Sequence, residues 1–221
     1  MTRDYGWLLR AFSIALGVSY LLALPASPYA ASPVIKGLSI ALLAALPWVS
    51  KPAPGRGLLT AALAASSIGD ILLDVDPERL FVAGLCAFLA AHIIYTVLFA
   101  GNGSRNPGTR RSSLLAAVVV YAVAVSIWIV PSTGSLKIPV TIYICAITAM
   151  TTTALRSQFG WRVSAGALLF LTSDSLLAIA KFKSQIPARD YLVWGTYYAA
   201  QYLIATGALE QAVVNYELHA D

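Results

Sequence analysis

Apolar residues run along this chain in long blocks, separated by short turns that gather much of its Pro, Gly and charge. The blocks lie at about 5–24, 33–50, 57–73, 80–100, 113–130, 137–155, 161–181 and 190–213. A helix rises 1.5 Å per residue, so each block crosses, or nearly crosses, a hydrocarbon layer about 30 Å thick. Between them stand "PASPYAASP", "KPAPGRG", "DVDPER", "GNGSRNPGTRRSS", "PSTGS", "RSQFGWR" and "KFKSQIPARD". Turn formers dominate these connections, and their shortness makes consecutive helices antiparallel neighbours. The pattern predicts an all-α integral membrane protein: a single transmembrane domain over residues 1–221, folded as a bundle of eight transmembrane helices.

Composition fits that solvent. Hydrophobic residues make up 58% of the 221, charged residues 11%, and mean hydropathy is +0.74. Soluble domains average about 25% charge, and a surface this apolar is stable against lipid rather than water. The net charge of +5 does not mark a nucleic-acid binder, because the basic residues sit in the turns and form no stripe interleaved with aromatics. Membrane lipids are the expected surroundings; no nucleic acid is expected, and nothing implies a protein partner. Cys86 and Cys145 each lie inside an apolar block and form no CxxC pair, so both are expected as small core residues.

The turns also set orientation. With the N-terminus inside, Arg3, Arg10, Lys51, Arg56, Arg105, Arg110, Arg111, Arg156 and Arg162 fall on the cytoplasmic side. Arg79, Lys137, Lys181, Lys183 and Arg189 fall opposite, so the basic excess predicts both termini in the cytoplasm, although the last loop is basic against the rule. A bacterial inner membrane is the expected location. The first block is longer than the apolar core of a signal peptide, which is about 7–15 residues, and is expected as a retained span.

Ionisable groups within the blocks carry the candidate chemistry. A charge at mid-bilayer costs about 2.5–3.5 kcal/mol on insertion scales, so each needs a purpose. They are Lys36, Asp70, His92 and Asp174, with Tyr143, Tyr197, Tyr198 and Gln201 as neutral partners. Alternation of the spans places Lys36, Asp70, Asp174, Tyr197 and Tyr198 in the same half of the bilayer, within about 10 Å of one face, with His92 deeper. Helical spacing puts Ser66 with Asp70 on one face, and Gly166, Phe170 and Asp174 on another. Phe81, Gly84, Phe88, His92, Tyr95 and Phe99 share a third, and Trp194, Tyr198 and Gln201 nearly share a fourth. Asp70-Ile71-Leu72-Leu73 and Asp174-Ser175-Leu176-Leu177 resemble each other 104 residues apart, which suggests two parallel four-helix halves. A cavity lined by both aspartates is the expectation. Lys36 has a second reading, snorkelling to the interface, and the aromatic face of span four a second, plain packing. Asp74, Asp76 and Glu78 are expected in a solvated loop.

Several chemistries are excluded. There is no G-x-S-x-G, Walker or G-x-G-x-x-G motif. His92 and His219 are the two histidines, too few for the usual zinc hydrolase set, so neither a metal nor a cofactor is expected. Acid–base work by a carboxylate pair remains.

The stretches "VIKGLSIALL", "SSIGDILL", "FVAGLCAFLAAHIIY", "PVTIY", "GALLFLTSDSLLAIAKF" and "WGTYYAAQYLI" together resemble the YhhN/lysoplasmalogenase family of multispanning membrane proteins. That family usually has proline after the lysine of span two, where this chain has Gly37. The resemblance implies a membrane hydrolase that cleaves the vinyl ether bond of a lysoplasmalogen. The products are a fatty aldehyde and glycerophosphoethanolamine or glycerophosphocholine. On this reading Asp70 and Asp174 are catalytic, with Asp174, whose flanks look drier, the favoured acid. Lys36, His92, Tyr143, Tyr197, Tyr198 and Gln201 contact or position the lysophospholipid, whose chain lies along the aromatic face of span four. The competing expectation is a proton-coupled small-solute or lipid transporter, since intramembrane Asp, Lys and His also form proton relays.

Overall fold

The computed structural model describes residues 5–103 and 109–218. Arg3, Arg105 and His219 lie outside them. Among the described residues the chain forms eight α-helices and three short 3₁₀ turns. The helices are α1 (Gly6–Ala23), α2 (Ser32–Val49), α3 (Arg56–Val75) and α4 (Phe81–Gly101). The remaining helices are α5 (Thr109–Ile129), α6 (Lys137–Arg156), α7 (Trp161–Phe182) and α8 (Arg189–Leu218). Seven of these segments are long and apolar enough to span a bilayer. The eighth, α8, carries Tyr197, Tyr198, Gln201 and Tyr202 in its middle, which lowers its hydropathy.

Prolines and glycines set the helix ends. Pro33 sits in the first turn of α2, where a missing N–H costs nothing. Gly55 precedes α3 with φ +80, a backbone state that disfavours any side chain, and a Cβ there would lie 2.6 Å from Leu98 Cδ1.

Six helices close a ring in the order α2, α3, α4, α6, α7, α8, with α8 returning to α2. Outside it, α1 packs on α2 and α8, and α5 packs on α6 and α7. Lipid provides no hydrophobic drive between helices, so close packing and hydrogen bonds must hold them. The α7–α8 contact shows the first: a Cβ on Gly166 would lie 2.8 Å from the Ala200 carbonyl oxygen. The α1 contacts show the second. Ser13 Oγ donates to the Ser39 carbonyl at 2.6 Å, and Trp194 Nε1 donates to the Gly17 carbonyl at 2.9 Å.

The outer surface carries large apolar side chains such as Trp7, Phe12, Leu22, Val120, Ile127 and Ile138. This is an integral membrane protein. Both cysteines belong to that surface rather than to the core, correcting the sequence expectation. In a bilayer protein the outward face is as apolar as the interior, so hydrophobic neighbours do not tell the two apart.

Candidate active site

Asp70 lies on the inner face of α3, 2% exposed, one turn beyond Ser66. Tyr197 of α8 donates to its Oδ2 at 2.6 Å. A hydrogen-bonded chain continues inward: Gln201 Nε2 donates to the Tyr197 hydroxyl at 3.3 Å, and Tyr95 of α4 donates to Gln201 Oε1 at 2.7 Å. Tyr95 and Gln201 are fully buried, so their polar atoms require one another.

Asp174 lies on α7 in a second cluster. Tyr143 of α6 donates to its Oδ2 at 2.6 Å, and His92 Nε2 of α4 lies 3.2 Å from the same oxygen. His92 Nε2 is also 3.0 Å from the Tyr143 hydroxyl, and its Nδ1 is 3.3 Å from Met150 Sδ. His92 is fully buried, whereas the Asp174 side chain is 14% exposed. The comparison reverses the expectation that Asp174 is the drier carboxyl. Its flanking leucines sit on other faces of the helix, while α8 covers Asp70 with Tyr197.

Aromatic rings join the clusters. Phe170, one turn before Asp174, lies 5.3 Å from Tyr197 and 4.8 Å from His92 between centroids. Phe88 packs edge-on against both Phe170 and Tyr197. Asp70 is also within electrostatic reach of Asp174, Lys36 and Asp74. The shared faces expected for Ser66–Asp70 and for Gly166–Phe170–Asp174 are present, and residues 84 to 99 of the span-four series turn inward together. That aromatic face is filled by protein, so a lipid chain does not lie along it in this conformation.

Lys36 belongs to a third cluster, nearer the end of α3. Its Nζ lies 3.7 Å from Asp74 Oδ1 and sits over the Tyr20 and Trp194 rings, 5.5 and 5.7 Å from their centroids. Tyr20 donates to Asp74 Oδ1 and Ser32 to Oδ2, each at 2.5 Å. Asp74 is therefore not a solvated loop residue: α3 continues to Val75, and its carboxyl is 8% exposed. The missed signal is spacing, because Ser66, Asp70 and Asp74 step by four along one helix face. Asp76 does cap the following turn, accepting from the backbone of Glu78 and Arg79.

Tyr198 departs from the expected group. Its hydroxyl is 2.8 Å from Ser13 Oγ and its ring lies against Gly17, so it faces α1 rather than Gln201. Tyr197 takes the inward position; consecutive helical residues diverge by about 100°. Gly37, where proline is the usual family residue, accepts a 2.7 Å bond from Ser67 and faces Ile71, letting α2 and α3 approach closely. Two buried serine hydroxyls, Ser66 and Ser164, have no hydrogen-bond partner among the described residues. Among those residues no three His, Cys, Asp or Glu side chains gather as a metal-binding group.

An all-helical membrane bundle with buried carboxylates bonded by tyrosines defines the class. The YhhN family model matches residues 31–208, and the chain belongs to that family. A lysoplasmalogenase of Mycobacterium tuberculosis is 33% identical over 212 residues, covering 91% of this chain and 81% of the relative. Lysoplasmalogenase TMEM86B of Homo sapiens is 34% identical over 81% of this chain and 76% of its own. Lysoplasmalogenase TMEM86A of Bos taurus is 31% identical over 99% and 96%. No solved structure matches significantly.

Proposed function

We propose that this protein is a lysoplasmalogenase, a membrane hydrolase that adds water across the vinyl ether of a lysophospholipid and releases a fatty aldehyde. The family membership and the relatives' names support the activity. The observation that carries the mechanism is the pair of aspartates on α3 and α7, Asp70 buried and Asp174 partly so, each hydrogen-bonded by a tyrosine and linked by rings packed through Phe170.

Vinyl ethers resist base and yield to acid. Protonation of the β-carbon draws the π electrons into a new C–H bond and leaves an oxocarbenium ion. Water adds to the cationic carbon and loses a proton, and the hemiacetal collapses to aldehyde and glycerophospho-alcohol. The two carboxyls divide these tasks as paired carboxyls do in glycosidases. Asp174 Oδ2 has the Tyr143 hydroxyl and His92 Nε2 around it, both able to donate, so we assign it to stabilising the cation as carboxylate. Asp70, bonded at one oxygen by Tyr197, is assigned as proton donor. The unpartnered Ser66 hydroxyl one turn away is suited to holding the attacking water, since a buried polar site favours one. Lys36 is the candidate phosphate contact. Gln201 and Tyr95 fix Tyr197, His92 fixes Tyr143, and Tyr198 anchors α1.

We further propose that α8 completes eight crossings and that the bundle is two parallel halves, α1–α4 and α5–α8. In support, α2–α3–α4 and α6–α7–α8 pack in the same sequence, joined at α4–α6 and α8–α2. The carboxyls also exchange partners across the halves: Asp70 of α3 with Tyr197 of α8, Asp174 of α7 with His92 of α4. The Lys/Arg distribution favours both termini on the cytoplasmic side.

Purified protein in detergent, given a lysoplasmalogen, is expected to release aldehyde. No aldehyde, together with pH-driven solute uptake by proteoliposomes, would replace the hydrolase by a transporter.

A further inference from the structure

The Asp74 cluster has the makeup of a cation box. Tyr20 and Trp194 stand 4.7 Å apart between centroids, tilted at 56°, and both face the same ammonium. The two rings are anchored at their polar ends, Tyr20 by Asp74 and Trp194 by the Gly17 carbonyl. Asp74 supplies the anionic wall, held by the Tyr20 and Ser32 hydroxyls. Aromatic faces around a carboxylate recognise ammonium groups, including quaternary ones.

The present occupant is Lys36, held by an ion pair and the two rings. Its Nζ stands 3.7 Å from Asp74, beyond hydrogen-bond range, and its side chain is 18% exposed on a flexible stem. Nearby, the Tyr29 hydroxyl in the α1–α2 loop is buried without a hydrogen-bond partner among the described residues. Burial, and then the Asp74 charge, push that hydroxyl's pKa up, so it stays a donor. A cation box, a lysine on a long flexible stem and a spare donor complement a zwitterion: ammonium into the box, phosphate to the displaced lysine and the phenol.

We propose that Asp74, Tyr20 and Trp194 form the headgroup site of this enzyme, binding the ammonium of an ethanolamine or choline lysophospholipid in place of Lys36, which turns to the phosphate. The assignment deepens the lysoplasmalogenase reading and rests on it. The charge balance is conserved, because one ion pair opens and two form. Substrates that carry phosphate but no ammonium gain the lysine contact alone.

The test compares lysoplasmalogens bearing ethanolamine, choline or an unsubstituted phosphate. Asp74→Asn is expected to lower kcat/KM about tenfold or more on the first two, chiefly through KM, and less than threefold on the third. Equal losses on all three would overturn the proposal and leave Asp74 a structural residue. Should Asp74→Asn not fold, wild-type enzyme answers the same question through its products. Glycerophosphocholine is expected to inhibit at least tenfold more tightly than glycerol 3-phosphate, and equal inhibition overturns the box. Binding of uncleavable alkyl-ether lysolipids separates this proposal from the hydrolase reading. A tenfold preference for the ethanolamine form, lost in Asp74→Asn, supports the box even if no vinyl ether is cleaved; no preference rejects it.

Discussion

Asp70 and Asp174 are each bonded through Oδ2 to a tyrosine, Tyr197 and Tyr143, at the same distance of 2.6 Å. The two tyrosines come from different helices, α8 and α6, and Phe170 packs against both Tyr197 and the His92 ring beside Tyr143. The Asp174 carboxylate gains more from its tyrosine than the protonated Asp70 gains from its own, because a bond to a charged group is the stronger one.

Asp70→Asn and Asp174→Asn keep the side-chain shape and one acceptor. Each is expected to elute as folded protein on size exclusion and to lose at least about 100-fold in turnover, the range of a lost acid or base. Wild-type turnover in either variant would remove that residue from the chemistry.

Isotope placement tests the proton step directly. Hydrolysis in D₂O is expected to leave one deuterium on the aldehyde carbon next to the carbonyl, by mass spectrometry. Product without that label would mean that the vinyl carbon is not protonated by a solvent-exchangeable acid.

Tyr197→Phe and Tyr143→Phe each delete one donor from an active-site carboxyl. A hydrogen bond to the charged Asp174 contributes about 1.5–3 kcal/mol, and one to the protonated Asp70 about 0.5–1.5 kcal/mol. Turnover is expected to fall about 10- to 100-fold in Tyr143→Phe and up to about tenfold in Tyr197→Phe, whereas Tyr198→Phe, which faces Ser13, leaves it within about threefold. Steady-state assays on the three proteins side by side decide the point.

Ser66→Ala separates stability from activity. Removing an unpartnered buried hydroxyl is expected to leave Tm unchanged or raise it. If that hydroxyl holds the attacking water, kcat drops about tenfold in the same variant. A parallel fall in Tm and kcat would mark Ser66 as packing alone.

Gly166→Val drives two helix backbones apart. The Cβ alone would lie 2.8 Å from the Ala200 carbonyl oxygen, and neither backbone can yield as a side chain would. The expected cost is about 1–3 kcal/mol or more, read as a lower Tm in detergent.

Much of this site was legible because a carboxylate in a greasy run is an anomaly that needs a cause. Asp70, Asp174 and His92 stand out in that way, and Gly166, Phe170 and Asp174 follow from helical spacing. Asp74 did not, because it precedes Asp76 and Glu78 in a stretch that reads as a polar turn. Only the extent of α3 shows that it shares the Asp70 face. The choice between Tyr197 and Tyr198 depends on the rotation of α8, which adjacent letters do not fix. Cys86 and Cys145 were misplaced since inward and lipid-facing positions have the same apolar character. The partner of Lys36 was hidden for a similar reason: Tyr20, Ser32 and Trp194 come from three different helices.

Asp70 and Asp74 ride one helix, a single turn apart, with about 6 Å of rise between them. If the first handles the ether and the second the nitrogenous end, α3 acts as a gauge. Its pitch, rather than any flexible loop, then sets how far the scissile oxygen stands from the charged terminus. A lysolipid with a longer spacer between those two points would be mis-measured, however well its tail dissolves in the membrane.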